Sequence, residues 1–277
     1  MRSIMTNAGL QGFRFPTKKT HIAAWIAIVI ALCMVGIAFA ASISDSFTDT
    51  SKIASSTNLT VDTVNGQVKL AVSSSWTCGN ALIDTRDSKS YATVLIGTQC
   101  WMAENLNVGT LTAGTNSQGT DCPSAAAIEK YCYSNSEPSC TTYGAFYQWT
   151  QAMCGSTTEG VQGICPSGWH VPSDSQQHTL DNYLATGSCN AARNGSYDCS
   201  PAGTSLKSGG ASGFLGLLAG HRETSGTFAN QGTYANFWSS TVSAANAWNR
   251  DLNSGQTGVS RNPNSQAYGF SVRCLKD

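Results

Sequence analysis

The chain has few charged residues, and their distribution excludes one large class of partner. Charged side chains make up 12% of the 277 residues, and the formal net charge is zero. Four basic residues lie in the first forty positions, where there is no acid, so the rest of the chain carries 12 basic against 16 acidic side chains. Because phosphate binding requires a basic surface, this mildly acidic body argues against nucleic acid as a partner.

The short motifs that mark catalytic or metal sites are also missing. The chain contains no H-E-x-x-H, G-x-S-x-G, P-loop or dinucleotide-binding glycine pattern. Acidic residues are scattered, and no pair has a spacing that suggests a glycosidase dyad. There is no C-x2-C pair, and the histidines do not cluster beside the cysteines, which argues against zinc. We therefore assign no catalytic, metal-ligating or cofactor-binding residue and expect a protein that is not an enzyme.

What the chain does have is cysteine, divided unevenly by one apolar stretch. Cys33 lies inside residues 22–41, which carry no charge, and the other ten cysteines follow that stretch. An even number of cysteines after an export segment is typical of a disulfide-stapled extracellular domain, because cytosolic thiols are kept reduced. The sequence therefore predicts an exported protein, either secreted or exposed at the cell surface.

Residues 1–40 are predicted to be a signal peptide or a signal anchor. The apolar stretch 22–41 is long enough to cross a bilayer core of about 30 Å, and the basic residues before it orient the N-terminus inward. The sequence Ala38-Phe39-Ala40 favours cleavage before Ala41, and an uncleaved membrane anchor is the alternative. Membrane contact is expected only through this stretch.

Residues 41–75 are predicted to be a linker that carries a β-hairpin. Two alternating six-residue runs flank Asn65-Gly66, the dipeptide that favours a type I′ turn. A two-residue loop determines the register, which places Asp62 opposite Lys69 and the apolar side chains together on the other face.

The remainder, residues 76–277, is predicted to be one α+β domain with short strands and two helices. Apolar spacing predicts the first helix over Tyr143–Met153. Ser173 and Gln176 have the spacing of a capping box, which predicts that the second helix starts there.

Alternating runs between turn residues predict the strands of this domain. Ala81–Arg86 and Tyr91–Ile96 are expected to pair as a second hairpin. A meander is expected from four later runs, namely Phe214–Leu218, Asn236–Ser240, Ala247–Leu252 and Gly269–Leu275. In the last run the alternation points Cys274 into the core.

Eight sequence blocks follow one another in an order that resembles a known family. They are residues 84–91 (DTRDSKSY), 94–99 (VLIGTQ), 101–107 (WMAENLN), 143–144 (YG), 165–173 (CPSGWHVPS), 218–220 (LAG), 237–241 (FWSST) and 269–274 (GFSVRC). Together they resemble the Fibrobacter succinogenes major paralogous (FISUMP) domain over about residues 76–277. The resemblance implies an exported bacterial protein with a C-type-lectin-like fold, distantly related to formylglycine-generating enzymes. It supplies no established catalytic residues.

The connectivity of the ten cysteines is left open by the sequence, although some pairs are preferred. The lectin-like fold that the resemblance implies would join Cys165 to Cys274. Among the others, Cys132–Cys140 and Cys189–Cys199 would close short polar loops, Cys78–Cys100 would tie the ends of the second hairpin, and Cys122–Cys154 is the pair that remains.

The resemblance also bears on ligand binding. Trp101, Trp169 and Trp238 lie in the shared blocks and are predicted to be core residues. Candidate ligand-binding residues are on a strand that borders the ligand surface in lectin-like folds: Trp248, Asn249, Arg250 and Asp251. A calcium-dependent sugar site is not supported, because Arg250 stands where such lectins have an acid.

Three functions remain open at this point. The first is a non-catalytic exported module that binds an extracellular glycan, peptide or protein. The second is a redox enzyme like the formylglycine-generating group, which would need two reactive thiols. The third is a structural surface component that assembles through the hairpin in residues 41–75 by strand pairing.

Overall fold

A computed structural model describes residues 59–64, 67–72, 76–122 and 124–277 of the chain. The predicted leader and its cleavage site lie outside the described residues. The chain divides into two units, with the boundary between Ser75 and Trp76. No helix within the described ranges is long and apolar enough to span a bilayer.

The described part of the first unit is the predicted hairpin. Strands β1 (Leu59–Val64) and β2 (Gln67–Val72) pair antiparallel with Asp62 opposite Lys69. The register expected from the two-residue loop is confirmed, because a short turn leaves only one alignment of the two strands.

The second unit, Trp76–Asp277, is a mixed α/β structure of short strands in several small sheets. Its first strands are β3 (Leu82–Asp84), β4 (Lys89–Tyr91), β5 (Thr93–Ile96), β6 (Gln99–Met102), β7 (Thr110–Leu111), β8 (Glu129–Lys130), β9 (Tyr147–Gln148) and β10 (Trp169–His170). The later ones are β11 (Tyr197–Asp198), β12 (His221–Arg222), β13 (Phe228–Ala229), β14 (Tyr234–Ser243), β15 (Asn246–Asn253), β16 (Val259–Ser265), β17 (Gly269–Phe270) and β18 (Leu275–Lys276).

Three sheets of four strands organise this unit. Their strand orders are β10-β18-β6-β5, β11-β16-β15-β14 and β13-β12-β17-β9. Two smaller pairs complete the set, β3 with β4 and the parallel pair of β7 with β8. We call the sheet that contains the long strands β14, β15 and β16 the central sheet, because it holds the candidate ligand-binding residues.

The second predicted hairpin is correct only in part, because Leu82 pairs with Tyr91 but the rest of the Tyr91–Ile96 run pairs elsewhere. The chain forms β3 and β4 as one pair, and β5 then turns back at Gly97-Thr98 to pair with β6. Gly97 has a positive φ of 61°, so this two-residue turn is accessible and brings the nearer strands together.

The predicted meander is correct only in part. Phe214–Leu218 is not one of the strands, and Val259–Ser265, which was not predicted, forms β16 beside β15. The missed strand reads VSRNPNS and has too few apolar residues to show alternation.

The expectation of two helices is also wrong, because the described residues contain four α-helical segments. They are Glu137–Tyr143, Trp149–Ala152, Asp174–Leu184 and Ala202–Leu206, with a 3-10 turn at Tyr133–Asn135. The predicted helix over Tyr143–Met153 fails in its first half, where strand pairing with β17 outweighs the apolar spacing. The capping box is confirmed, since Ser173 and Gln176 exchange both hydrogen bonds at the start of the Asp174–Leu184 helix.

Large aromatic side chains fill the core. Trp101, Trp169 and Trp238 are at most 2% exposed, so their prediction as core residues is confirmed. Cys274 is fully buried, as the alternation of the last run predicts. Trp238 is also tied down by its indole N–H, which donates to the Tyr147 carbonyl at 2.7 Å.

Five disulfide bonds crosslink the second unit. They join Cys78–Cys100, Cys122–Cys154, Cys132–Cys140, Cys165–Cys274 and Cys189–Cys199, the same partners that the sequence analysis prefers. Because such bonds persist only outside a reducing cytosol, they indicate an oxidising, extracellular environment.

Candidate functional site

The central sheet separates the four candidate ligand-binding residues into two pairs. Side chains alternate along a strand, so Trp248 and Arg250 project from one face of β15, and Asn249 and Asp251 project from the other. The sequence places these residues side by side, but they belong to two different environments.

Arg250 lies on the face that packs against the Asp174–Leu184 helix, and it is almost fully buried. Its Nε donates to Asp181 Oδ2 and its Nη1 to Asp174 Oδ1, each at 2.6 Å. Asp181 Oδ2 also accepts a 2.5 Å hydrogen bond from Arg193. All of these contacts are internal, so Arg250 holds the helix on the sheet and is not available to a ligand.

Trp248 is occupied in a similar way. The guanidinium carbon of Arg261 lies 3.3 Å from the centroid of the Trp248 ring, in a cation–π arrangement. Arg261 is held there by Asp174, whose Oδ1 accepts from Nε at 2.8 Å. Burial acts to raise the pKa of Asp174, but hydrogen bonds and charge from Arg261 and Arg250 bring it below the ordinary value. One face of the Trp248 ring is therefore covered.

The other face of the central sheet carries a polar network that we call the Asn/Asp face. Its members come from β14, β15 and β16: Asn236, Asn249, Asp251, Ser260, Asn262 and Asn264. The register explains why they meet, since Asn236 and Ser260 are both directly opposite Asp251, and Asn262 is opposite Asn249.

Asp251 is the centre of this network. Its carboxylate accepts hydrogen bonds from the side-chain amides of Asn236, at 2.5 Å, and of Asn249 and Asn262. Two further bonds extend the network, from Asn264 Nδ2 to Asn249 Oδ1 at 2.8 Å and from Asn262 Nδ2 to Ser260 Oγ at 2.9 Å. The network is thus made of neutral amides around one acid.

Burial controls the charge of that acid. Asp251 is 7% exposed, and burial raises its pKa to about 6, against the lowering effect of the three amide hydrogen bonds. Each bond orients an amide, so the network holds its donors and acceptors in fixed positions. Asn262 and Asn264 are its partly exposed members, and the others are buried.

Four partly exposed rings surround the Asn/Asp face, and we call them the aromatic rim. They are Tyr197, Tyr234, His221 and Tyr268. His221 Nδ1 lies 3.2 Å from Asn236 Oδ1, and its ring meets that of Tyr268 edge to face at 5.8 Å. Burial lowers the pKa of His221, which favours the neutral ring. Tyr197 lies close to Tyr234 and to Asp251.

Sequence reasoning missed most of this surface. Only Asn249 and Asp251 were among the candidates, and the amides of β14 and β16 and the four rings were not. A signal was present in Asn262-Pro263-Asn264, where polar residues alternate with a period of two as they do in β15. It becomes informative only once the pairing of β15 with β16 is known.

Two other places in the second unit resemble binding sites but lack the groups that a ligand would need. Cys132, Glu137 and Cys140 bring potential metal ligands together, but the two sulfur atoms form a disulfide and are not thiolates. A surface groove of about 350 Å³ lies beside Thr204 and Lys207. Lys207 Nζ already donates to the carbonyls of Asn253 and Gln256, so the groove offers no free charge.

The fold and the five bridges define the class of this protein as a disulfide-crosslinked mixed α/β domain of an oxidising compartment. Its residues 94–276 match the sequence model of the Fibrobacter succinogenes major domain, and the chain belongs to that family. The match starts at Val94, so the block at residues 84–91 precedes it. Neither a curated protein nor a solved structure matches this chain.

Proposed function

We propose that the Trp76–Asp277 unit is an exported, non-catalytic module that binds an extracellular glycan at the Asn/Asp face and its aromatic rim. The observation that carries the proposal is the set of three amides fixed around Asp251, with partly exposed tyrosines beside them. A sugar ring offers adjacent hydroxyl groups that both donate and accept, and its C–H face packs on aromatic rings.

The electrostatics of the face suit a neutral ligand. Among the described residues, no lysine or arginine donates to Asp251, which is bonded to amides, and the nearby Arg250 points to the opposite face of the sheet. A strongly charged ligand would need a partner of opposite sign, whereas a neutral polyol needs oriented amide, carboxylate and hydroxyl groups. A short peptide or a protein loop is the other class of ligand that such a face accepts.

Export is the second part of the proposal. Five bridges in one unit support it, and residues 22–41 are the segment proposed to carry the chain across the membrane. With cleavage before Ala41 the module is secreted, and without cleavage it is displayed on a membrane anchor. A lectin-like fold would agree with this function.

The experiment uses the full chain, produced with its leader and purified in its exported form. It is applied to an array of glycans and to an array of immobilised proteins. Tyr234→Ala removes one ring of the rim and is expected to weaken glycan binding at least tenfold, or by about 1.4 kcal/mol. Tyr183→Ala is the matched control, because Tyr183 is a 59% exposed tyrosine on the Asp174–Leu184 helix.

Each outcome has a definite meaning. Loss of binding in Tyr234→Ala with retention in Tyr183→Ala supports the proposal. Binding to the protein array alone would mean that the ligand is a peptide or protein and not a glycan. The absence of binding on both arrays would contradict a binding module. Two titratable thiols in the folded, unreduced protein would favour the redox enzyme, and loss of oligomers on deletion of residues 42–75 would favour the assembly component.

A further inference from the structure

Three side chains with complementary chemistry meet beside the Cys132–Cys140 bridge. Lys130 Nζ lies 2.7 Å from Asn107 Oδ1 and 2.6 Å from Glu137 Oε1. Lys130 is 2% exposed and Asn107 is 9% exposed, whereas Glu137 reaches in from the first turn of its helix and is half exposed. An amine, a carboxamide and a carboxylate therefore share one largely buried place.

The surrounding structure holds each of these groups in position. Lys130 is in β8, which pairs with β7. The backbone carbonyl of Lys130 accepts a hydrogen bond from the backbone N–H of Thr112, so the backbone of Lys130 is fixed beside β7. Asn107 donates its backbone N–H to the Tyr91 hydroxyl and its side-chain Nδ2 to the Cys140 carbonyl, both at 3.0 Å. The amide nitrogen thus points away from Lys130, and the amide oxygen points toward it.

The burial of this place shifts the state of the amine. Leu106, Val108 and Ile128, within two positions of Asn107 or Lys130 in the chain, are fully buried. Burial is the largest influence on Lys130 and lowers its pKa, although Glu137 acts in the opposite direction. Lys89 adds a like charge, since its Nζ donates to the Asn107 backbone carbonyl. These conditions shift the amine toward its neutral form, which is the nucleophilic form.

We propose that Lys130 and Asn107 join in an intramolecular isopeptide bond, with Glu137 as the acid–base group. The Nζ lone pair attacks Cγ of Asn107, the atom bonded to the oxygen that Lys130 already contacts. Glu137 takes a proton from Nζ and returns it to Nδ2. The Nζ–Cγ bond forms, the Cγ–Nδ2 bond breaks, and ammonia leaves.

The reaction is balanced without any further reagent. One primary amine and one carboxamide become one secondary amide and one ammonia molecule, and no atom is oxidised or reduced. The product replaces a buried amine and a buried carboxamide with one secondary amide, so fewer polar groups have to be kept away from water. Release of ammonia to the solvent makes the exchange irreversible in practice.

The bond would add a crosslink of a different kind from the disulfides. It would join positions 23 residues apart in the chain, in the segment that leads into the Cys132–Cys140 bridge. A reductant that opens the bridge would leave the isopeptide bond intact. Part of the exported domain would therefore stay crosslinked where disulfides are reduced.

The test is peptide mapping of the full chain after reduction, alkylation and digestion with a glutamate-specific protease. Cleavage after Glu104, Glu129 and Glu159 separates residues 105–129, which contain Asn107, from residues 130–159, which contain Lys130. The Glu137–Pro138 bond stays intact, because the protease does not cleave before proline. We expect the two peptides to be joined, with a combined mass lower by one ammonia molecule. A linear peptide with a missed cleavage at Glu129 is lighter by one water molecule instead, so accurate mass distinguishes the two products.

Three variants assign the roles. Lys130→Arg and Glu137→Gln are expected to give separate peptides. The guanidinium of arginine is too weak a nucleophile to attack the Asn107 carboxamide, and glutamine cannot take up and return the proton. Lys89→Arg is the matched control, since it keeps the contact with the Asn107 carbonyl and should retain the joined product. The five disulfides, mapped without reduction, show whether each variant is folded.

Wild-type protein decides the proposal regardless of how the variants fold. If it releases residues 105–129 and 130–159 only at their separate, unmodified masses, no bond forms and Lys130 is simply a buried lysine paired with Glu137. A joined product that persists in Lys130→Arg would also overturn the assignment.

Discussion

Arg250 and Asp181 form an ion pair that is almost closed to solvent, with Nε 2.6 Å from Oδ2 and both side chains at most 4% exposed. The pair joins the middle strand of the central sheet to the Asp174–Leu184 helix. Because the helix covers one face of β15, the Asn/Asp face with Asp251 is left on the other. This contact therefore determines which candidate residues pack against the helix and which join the Asn/Asp face.

Neutralising Asp181 should be strongly destabilising. Asp181→Asn keeps the volume but leaves Arg193 and Arg250 buried without their shared anion, so the free energy of unfolding should fall by about 3–5 kcal/mol. Denaturant unfolding measures this, with Asp121→Asn as an exposed control expected to change stability by less than about 0.5 kcal/mol. Equal losses in the free energy of unfolding from the two substitutions would mean that the buried ion pairs do not stabilise the fold.

Asp251 should make stability depend on pH in a defined window. Its pKa is about 6 in the folded protein and 3.8 as the ordinary value, so the folded state binds the proton more readily than the unfolded state. This contribution to the free energy of unfolding should therefore rise by about 2–3 kcal/mol as the pH falls from 6 to 4.

Asp251→Asn isolates this effect, because it cannot titrate. The difference in unfolding free energy between wild type and variant, measured by denaturant at several pH values, should show the rise between pH 6 and 4. A difference that does not change with pH would show that the acid titrates alike in both states.

The disulfides should contribute according to the length of chain that they close. Cys165 and Cys274 are 109 residues apart, and Cys132 and Cys140 are 8 apart. The chain-entropy relation gives about 4–5 kcal/mol for the long loop and about 2–3 kcal/mol for the short one. Paired alanine substitutions, compared by denaturant unfolding, test the order, and a larger loss from the short bridge would contradict it.

Arg273 should be essential to the core because it satisfies backbone groups. It is 1% exposed and donates to Asn105 Oδ1 at 2.7 Å and to the carbonyls of Met102, Phe214 and Leu215. Arg273→Met leaves these acceptors unpaired, and at about 1–3 kcal/mol for each buried group the loss should exceed about 3 kcal/mol.

Lys276→Met provides the comparison for this prediction. Lys276 is partly exposed in the neighbouring strand β18, and its replacement should change the free energy of unfolding by less than about 0.5 kcal/mol. Chemical unfolding of both variants gives the result. A stable Arg273→Met protein would imply that the carbonyls find other donors.

Features that depend on neighbouring residues were predictable from the sequence. The hairpin register follows from a two-residue turn, and the helix start follows from Ser173 and Gln176, three positions apart. The helix over Tyr143–Met153 was not predictable, because Tyr147–Gln148 pairs with Gly269–Phe270, more than a hundred residues away. Distant pairing of this kind leaves no periodic signal in either segment.

The candidate site divides in the same way. Asn249 and Asp251 were found because the resemblance singled out their strand, but Asn236 and Asn262 come from strands whose pairing the sequence does not show. Trp248 and Arg250 were placed with them because they are adjacent in the chain. Adjacent residues in a strand face opposite sides, so proximity in sequence was misleading there.

The amino-acid sequence by itself determined the family, the cysteine supply, the hairpin and the capped helix, because each depends on residues close together or on a pattern of blocks. Only the tertiary structure decided that three asparagines surround Asp251 and that Lys130 meets Asn107 and Glu137. The reason is that side chains from separate strands and loops come together only after the backbone has paired, and long-range pairing is selected by the packing of the whole domain.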